Sequence, residues 1–350
     1  MMNKKSLKEI SWKVSEAKYR QDKSYSYSLL ARYNNLGFSK IKDLFQEISS
    51  ASLSFGSMVD TLLTEGIDKY NELYIPKDFD GVGDKTASII DIIYDRYGKD
   101  YESMNSIPYE ELLGILNELS YQNNWTEEKR VEKIIVLGDS YYKFKILSKN
   151  KEIVSVKDYS DGINCFKAIH NNSFINNFFR PNPMEDDSIE RLFQLKFKSK
   201  YKNIDLKCMA DLLVVDHKNK VIIPCDLKTT FPPEYEFYNS FVKWGYYIQA
   251  QLYWYIIKQN LLQDDYFKDF ELLDFRFIVV SRESLQPIVW TFRQTKEEET
   301  IVTGKNKTIE LKNWRVILEE LHFYLRNKSP VPRDIKINRD NDLDIFLESM

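Results

Sequence analysis

The sequence predicts an α/β fold, with a central mixed sheet flanked by helices and a largely helical N-terminal region before it. Three observations predict it. Apolar residues recur at helical spacing through most of the first 150 positions. Strand-like runs then follow closely, at about 191–198, 205–216 and 220–228. After a helix over about 241–260, two more runs, 275–280 and 288–292, return to strand character. Strand, hairpin, helix and returning strands against helical layers is the pattern of an α/β core.

In chain order, segments 28–48, 54–70 and 85–97 have helical spacing, the last preceded by Gly81-Val82-Gly83-Asp84 as turn and cap. Gly83-Asp84-Lys85-Thr86 lacks the glycine spacing and the preceding strand of a phosphate loop, and is rejected as one. Helices over 109–120 and 126–148 follow, the second with Lys and Glu at i,i+4 spacing. A helix over 159–176 leads into Pro181-Asn182-Pro183, a break before the sheet. A last helix covers 308–327 and stops at Lys328-Ser329-Pro330. These elements read as one elaborated domain: a helical part over 1–180, a core over 181–300, and a C-terminal helix and tail over 301–350. No internal repeat or low-complexity tract is present.

With 350 residues, 43% of them hydrophobic, the chain can bury a substantial core. Cys165, Cys208 and Cys225 show no paired spacing, so neither a zinc ribbon nor a disulfide framework is indicated. There is no apolar N-terminal run and no stretch of 18 apolar residues, so no membrane association and a cytoplasmic location are expected. A net charge of −3 argues against a protein that coats nucleic acid, but not against one that keeps positive charge local. Lys196, Lys198, Lys200, Lys202 and Lys207 cluster within a dozen residues. They read equally as phosphate contacts or as solubilising charge on an exposed edge strand.

The most informative segment is Asp211-Leu212-Leu213-Val214-Val215, then His217-Lys218-Asn219-Lys220, then Val221-Ile222-Ile223-Pro224-Cys225-Asp226-Leu227-Lys228. Two apolar runs joined by a short polar stretch predict a β-hairpin. If its loop is centred between Lys218 and Asn219, Asp216 faces Val221 and Asp211 lies opposite Asp226, their Cβ atoms roughly 5 Å apart. Two opposed carboxylates repel, and a divalent cation would give the arrangement a reason. Lys228 emerges on the same face as Asp226, because strand side chains alternate. An acid-x-Lys triplet alone arises by chance about five times in such a composition; the context gives this one its weight. On the helix that follows, Gln251 and Tyr255 stand at i,i+4 and can point to a common ligand while Ile248, Leu252 and Ile256 pack inward.

These residues resemble the PD-(D/E)XK nucleases, within them the RecB-like and RecE-like exonuclease branch. Asp211 with Asp226-Leu227-Lys228-Thr229-Thr230 is similar to the family's metal-binding acid and D-x-K strand. Gln251 and Tyr255 resemble its Q-x-x-x-Y helix, and 55–63 its upstream G-x-x-x-H helix, with Gly56 kept and Asp60 where the family commonly has His. Aspartate is a competent ligand for a hard cation, so Asp60 keeps metal binding, shifts the preferred ion, or marks a different helix as the counterpart. Glu190 stands where some relatives carry an acid before the core; the alternative is a solvated acidic loop.

The resemblance covers about residues 28–300, and only 205–257 is specific. It implies a restriction-endonuclease-like core and Mg²⁺ or Mn²⁺ held by Asp211, Asp226, the Leu227 carbonyl, Asp60 and Glu190. It further implies catalysis by Asp211, Asp226 and Lys228, with Gln251, Tyr255 and Thr229 positioning substrate. Some relatives carry a four-cysteine iron-sulfur cluster, which three scattered thiols cannot build. The implied activity is exonucleolytic hydrolysis of linear double-stranded DNA, as in phage-type recombination or repair. A single-strand annealing protein and a homo-oligomer are the implied partners. The alternatives are an endonuclease of the same fold and a catalytically silent nucleic-acid-binding module.

Overall fold

The computed structural model describes residues 4–46, 51–79, 81–181, 185, 187–293, 300–304, 307–328, 333–335 and 345–347. The breaks expected at Asn182-Pro183 and Ser329-Pro330 lie outside them. The chain divides into two compact units, one of Met1–Leu53 with Lys167–Met350 and one of Ser54–Phe166. This differs from a single helical part over 1–180, because the N-terminal segment belongs with the sheet. Tyr25 makes a bridge to Leu206, its N–H donating to the Asp205 carbonyl and its carbonyl accepting from Lys207 N–H, both at 2.9 Å.

Within the sheet unit, α1 (Glu16–Gln21) and α2 (Tyr27–Leu36) come first. The helix expected over 28–48 stops at Gly37, whose φ of +67° suits only glycine, and a 3₁₀ segment, Phe38–Phe45, continues the chain.

The helical unit runs from α3 (Ala51–Thr64) through α4 (Ile67–Leu73), β1 (Tyr74–Pro76), α5 (Asp84–Tyr97), α6 (Tyr109–Glu118), α7 (Glu127–Leu147) and β2 (Glu152–Val154) into α8 (Val156–Asn171). Gly66, at φ +92°, separates α3 from α4 within the expected 54–70 helix. Thr126 caps α7, and Glu127 and Glu128 in its first turn complement the helix dipole. Ile90, Ile93, Leu112, Leu116, Val131 and Ile134 form its core. A Cβ at Gly138 would come within 2.4 Å of Ile90 Cδ1, so a glycine lets α7 approach α5.

The sheet unit resumes with α9 (Ser173–Phe179), capped by Asn172. It continues as β3 (Ile189–Tyr201), β4 (Ile204–Asp216), β5 (Val221–Thr230), α10 (Phe237–Lys243), α11 (Tyr246–Leu262), β6 (Glu271–Leu272), β7 (Phe275–Ser281) and β8 (Ile288–Phe292). Then come β9 (Thr300–Gly304), β10 (Lys307–Leu311) and α12 (Trp314–Asn327), which starts at the Asn313 cap, later than expected. The fold is therefore mixed α/β, with a central mixed sheet flanked by helices. Strand order is β3-β4-β5-β7-β8, with β6 also beside β5. β3–β4, β4–β5 and β7–β8 pair antiparallel; β5–β7 is parallel, with α10 and α11 in the crossover. Among the described residues, no helix is long and apolar enough to cross a membrane.

The β4–β5 turn is built by Asp216. Its Oδ1 accepts from Lys218 N–H at 3.0 Å and Asn219 N–H at 2.9 Å, and Lys220 takes the left-handed φ of +56° that closes the loop. Asp216 faces Val221 and the ladder continues to Leu212 opposite Cys225. Beyond that pair the sheet forks. β4 residues 204–210 stay with β3, whereas β5 residues 226–230 stay with β7. At the fork the alternation slips: Cys208 and Ala210 face the core, and so do Leu213 and Val215, which skips a step at Asp211. Gln194, across from Asp211 on β3, has a left-handed φ of +53°, and the pairing is interrupted there.

Candidate active site

Asp211 and Asp226 stand one position past the last β4–β5 pair, at the base of the fork. Asp211 Oδ2 accepts a hydrogen bond from the Leu227 N–H at 3.2 Å, which draws its carboxylate to the β5 backbone beside Asp226. Asp226 is 2% exposed, and Lys228 lies against its Oδ2 as an ion pair. Burial works against the Lys228 charge, but Asp226, Tyr246, Tyr27 and Asp211 outweigh it and hold its pKa above the ordinary value. Lys228 is thus held in its charged form beside Asp226. Its Nζ sits 4.6 Å from the centre of the Tyr246 ring, within cation–π range.

On α11, Gln249 reaches Asp226. Gln249 Nε2 donates to Asp226 Oδ1 at 2.5 Å, which sets the amide's orientation, since a carboxylate can only accept. Gln251 is buried two residues along, and the Tyr255 hydroxyl donates to the Lys200 carbonyl of β3 at 3.0 Å. Tyr246, Gln249 and Tyr253 follow one another at helical spacing, so a second Gln-x-x-x-Tyr pair, Gln249 and Tyr253, accounts for the site side of the helix. Burial raises the Tyr253 hydroxyl well above its ordinary pKa, and Tyr19, Cys208, Asp226 and Asp211 add to the shift.

Two tyrosines arrive from the N-terminal segment. Tyr27 of α2 donates to the Trp244 carbonyl at 2.9 Å and packs against Tyr246 and Tyr253. Burial raises the hydroxyl pKa of Tyr27, as it does that of Tyr19. Nothing local in the sequence marks either residue.

Glu190 stands apart from the group and Thr229 points away from it, while Asp60 belongs to the other unit. Glu190 lies opposite Val215, toward the loop end of the hairpin, where it accepts from Ser6 Oγ at 2.6 Å and meets His217 Nε2 at 3.3 Å. Four strand positions separate it from the residue across from Asp211, about 13 Å. Thr229 alternates away from Asp226 and Lys228 on β5, and Thr230 shares their side, its hydroxyl donating to the Pro232 carbonyl. Asp60 is carried on α3 in the helical unit, half-buried, its backbone carbonyl accepting from the Thr64 hydroxyl.

The lysine cluster on β3 and β4 is largely spent on the protein itself. Lys207 is 5% exposed and donates to the Tyr19 and Asp22 carbonyls at 2.6 Å each; burial lowers its pKa. Lys198 pairs with Asp22, and Lys202 with Glu319.

The donor set fits a hard divalent cation. Gln249 Oε1 is a buried acceptor that no hydrogen bond reaches, at a cost of about 1–3 kcal/mol when left unsatisfied, while Asp226 Oδ2 is met by the Lys228 ammonium. Among the described residues, the cation against these acceptors is the Lys228 ammonium. Among the described residues no three His, Cys, Asp or Glu side chains converge, but Mg²⁺ needs only one or two carboxylates when water and phosphate complete its shell.

No family model and no curated protein matches the chain. Among solved structures it is similar to one described as "Putative exonuclease" from Eubacterium rectale, at 12% identity and a TM-score of 0.41 over 90% of this chain and 85% of that one. A likeness of that degree carries no argument about the site, whose chemistry has to be derived from its own residues.

Proposed function

We propose that this protein is a metal-dependent nuclease that hydrolyses DNA phosphodiester bonds, with linear duplex ends as its substrate. The supporting observation is the forked sheet that sets Asp211 and Asp226 at its base, with Lys228 and Gln249 against Asp226. Charge distribution agrees. Residues 54–166 hold 13 Lys and Arg against 21 Asp and Glu, a net −8, which leaves the sheet-bearing remainder at +5.

Asp211, Asp226 and the Leu227 carbonyl would hold Mg²⁺ or Mn²⁺, which when bound polarises the phosphate and lowers the pKa of a coordinated water. Gln249 holds Asp226 in one orientation, the part outer partners play at metal centres. Lys228, kept protonated, donates to a phosphate oxygen as negative charge develops on it. With Asp226 committed to a metal, the Lys228 ammonium would be free to turn to the phosphate. Asp60 enters this reading as a ligand only if Asp60→Ala weakens Mn²⁺ binding.

The test is digestion of end-labelled linear duplex beside a closed circle, with Mg²⁺, with Mn²⁺ and with chelator, comparing the natural chain with Asp226→Ala. Metal-dependent loss of the linear form alone, abolished by the substitution, is the expected result. Cutting of the circle would make the enzyme an endonuclease. No degradation under any condition would reject catalysis in favour of a binding module.

A further inference from the structure

We propose that Phe231 and Trp244 form a base-stacking rim that receives the unpaired bases of a DNA strand end beside the Asp226–Lys228 site; this rests on the nuclease reading above. Both rings are exposed, Phe231 at 64% and Trp244 at 49%. Single exposed apolar residues are ordinary; these two differ in how they are held and where they stand.

Phe231 lies three residues past Lys228, a span of at most about 11 Å of chain. Its backbone is pinned. The Phe231 carbonyl accepts from Ser281 Oγ at 3.2 Å, the Thr230 carbonyl accepts from Arg282 N–H at 2.8 Å, and Pro232 and Pro233 stiffen the chain immediately after it. Trp244 lies two residues before Tyr246, whose ring faces Lys228. Its carbonyl is held by Tyr27 Oη, and Gly245 beside it takes a left-handed φ of +66°, where a side chain would be strained. The two segments meet the same feature, because Phe237, six residues past Phe231, stacks on Tyr246 at 5.7 Å between ring centres.

Two aromatic faces fixed in water on rigid backbone, on chain that leads directly to the proposed cleavage site, suit nucleobases. Every base has a π-face, so stacking needs no sequence. Lys243 Nζ sits 4.8 Å from the Trp244 ring and adds positive charge for the backbone of the stacked strand. The substrate favoured is a duplex end with unpaired terminal nucleotides.

The experiment is steady-state hydrolysis in Mg²⁺ of a duplex with a short single-stranded overhang carrying 2-aminopurine at its terminus. The natural chain is compared with Phe231→Ala, Trp244→Ala, Phe231→Leu and Trp244→Phe, each checked by thermal melting. The Ala variants are expected to raise KM about tenfold with kcat within about twofold, and to lose the 2-aminopurine response. Trp244→Phe should keep both properties, and Phe231→Leu should lose both. If the Ala variants match the natural chain, or Phe231→Leu restores it fully, the stacking rim is overturned and the nuclease reading stands. If the natural chain hydrolyses no DNA, both fall together.

Discussion

The two ends of the β4–β5 hairpin treat their acids in opposite ways. At the loop end, Asp216 accepts from two backbone N–H groups and from the Asn219 amide, and Glu190 is met by Ser6 and His217. At the fork, Asp226 is buried more deeply and is met by the Lys228 ammonium and the Gln249 amide, whose own carbonyl receives no hydrogen bond. Satisfied acids hold a turn and a strand end in place. Two carboxylates brought together at the fork, one of them buried against a lysine, are the kind of charge cluster found at functional sites, so the loop end reads as architecture and the fork as chemistry.

The comparison breaks most directly at the fork's charges. Asp226→Asn and Lys228→Ala should each lower the metal-dependent rate at least about 1000-fold, measured on end-labelled duplex. Glu190→Gln should leave that rate within about twofold; an equal loss there would erase the distinction between the ends.

Metal removal is the next largest effect. Saturating Mg²⁺ should stabilise the natural chain by about 2.7 kcal/mol at a hundredfold excess over Kd, seen as a Tm rise of several degrees that chelator reverses. Asp226→Asn should abolish the rise and Glu190→Gln should preserve it.

The two glutamines of α11 sharpen the picture further. Gln249→Leu should cost about 10- to 100-fold in activity, because it releases Asp226, whereas Gln251→Leu should cost several-fold less. The reverse order would return the site to the pair at 251 and 255.

The smallest effect belongs to the loop end. Burial lowers the His217 pKa below 6.5 against the opposing pull of Glu190, with Lys4, Asp216 and Tyr266 also facing the ring. The unfolded chain therefore binds that proton more tightly. The stabilisation is full above the unfolded value and is lost as pH falls through 6.5 toward the folded one. His217→Gln should flatten the acid side of a Tm-against-pH curve, and activity in neutral buffer should not change.

What the sequence determined by itself is the hairpin and everything its register carries. A strand has a period of two and a polar turn of fixed length, so placing Asp216 opposite Val221 fixes the pairs as far as Leu212 and Cys225, while the fork and the slip at Asp211 beyond them were not legible. The α/β class was legible for the same reason, since periodicity is a local property. The turn of α11 was not legible: its residues 247–253 are all buried, between the sheet on one side and helices on the other, so no polar face shows which glutamine looks toward Asp226. Nor could any local pattern announce Tyr27, which meets Tyr246 across more than 200 residues of chain, or the return of the N-terminal segment to the sheet. Contacts of that range are chosen by packing the whole unit at once, and only the tertiary structure decides them.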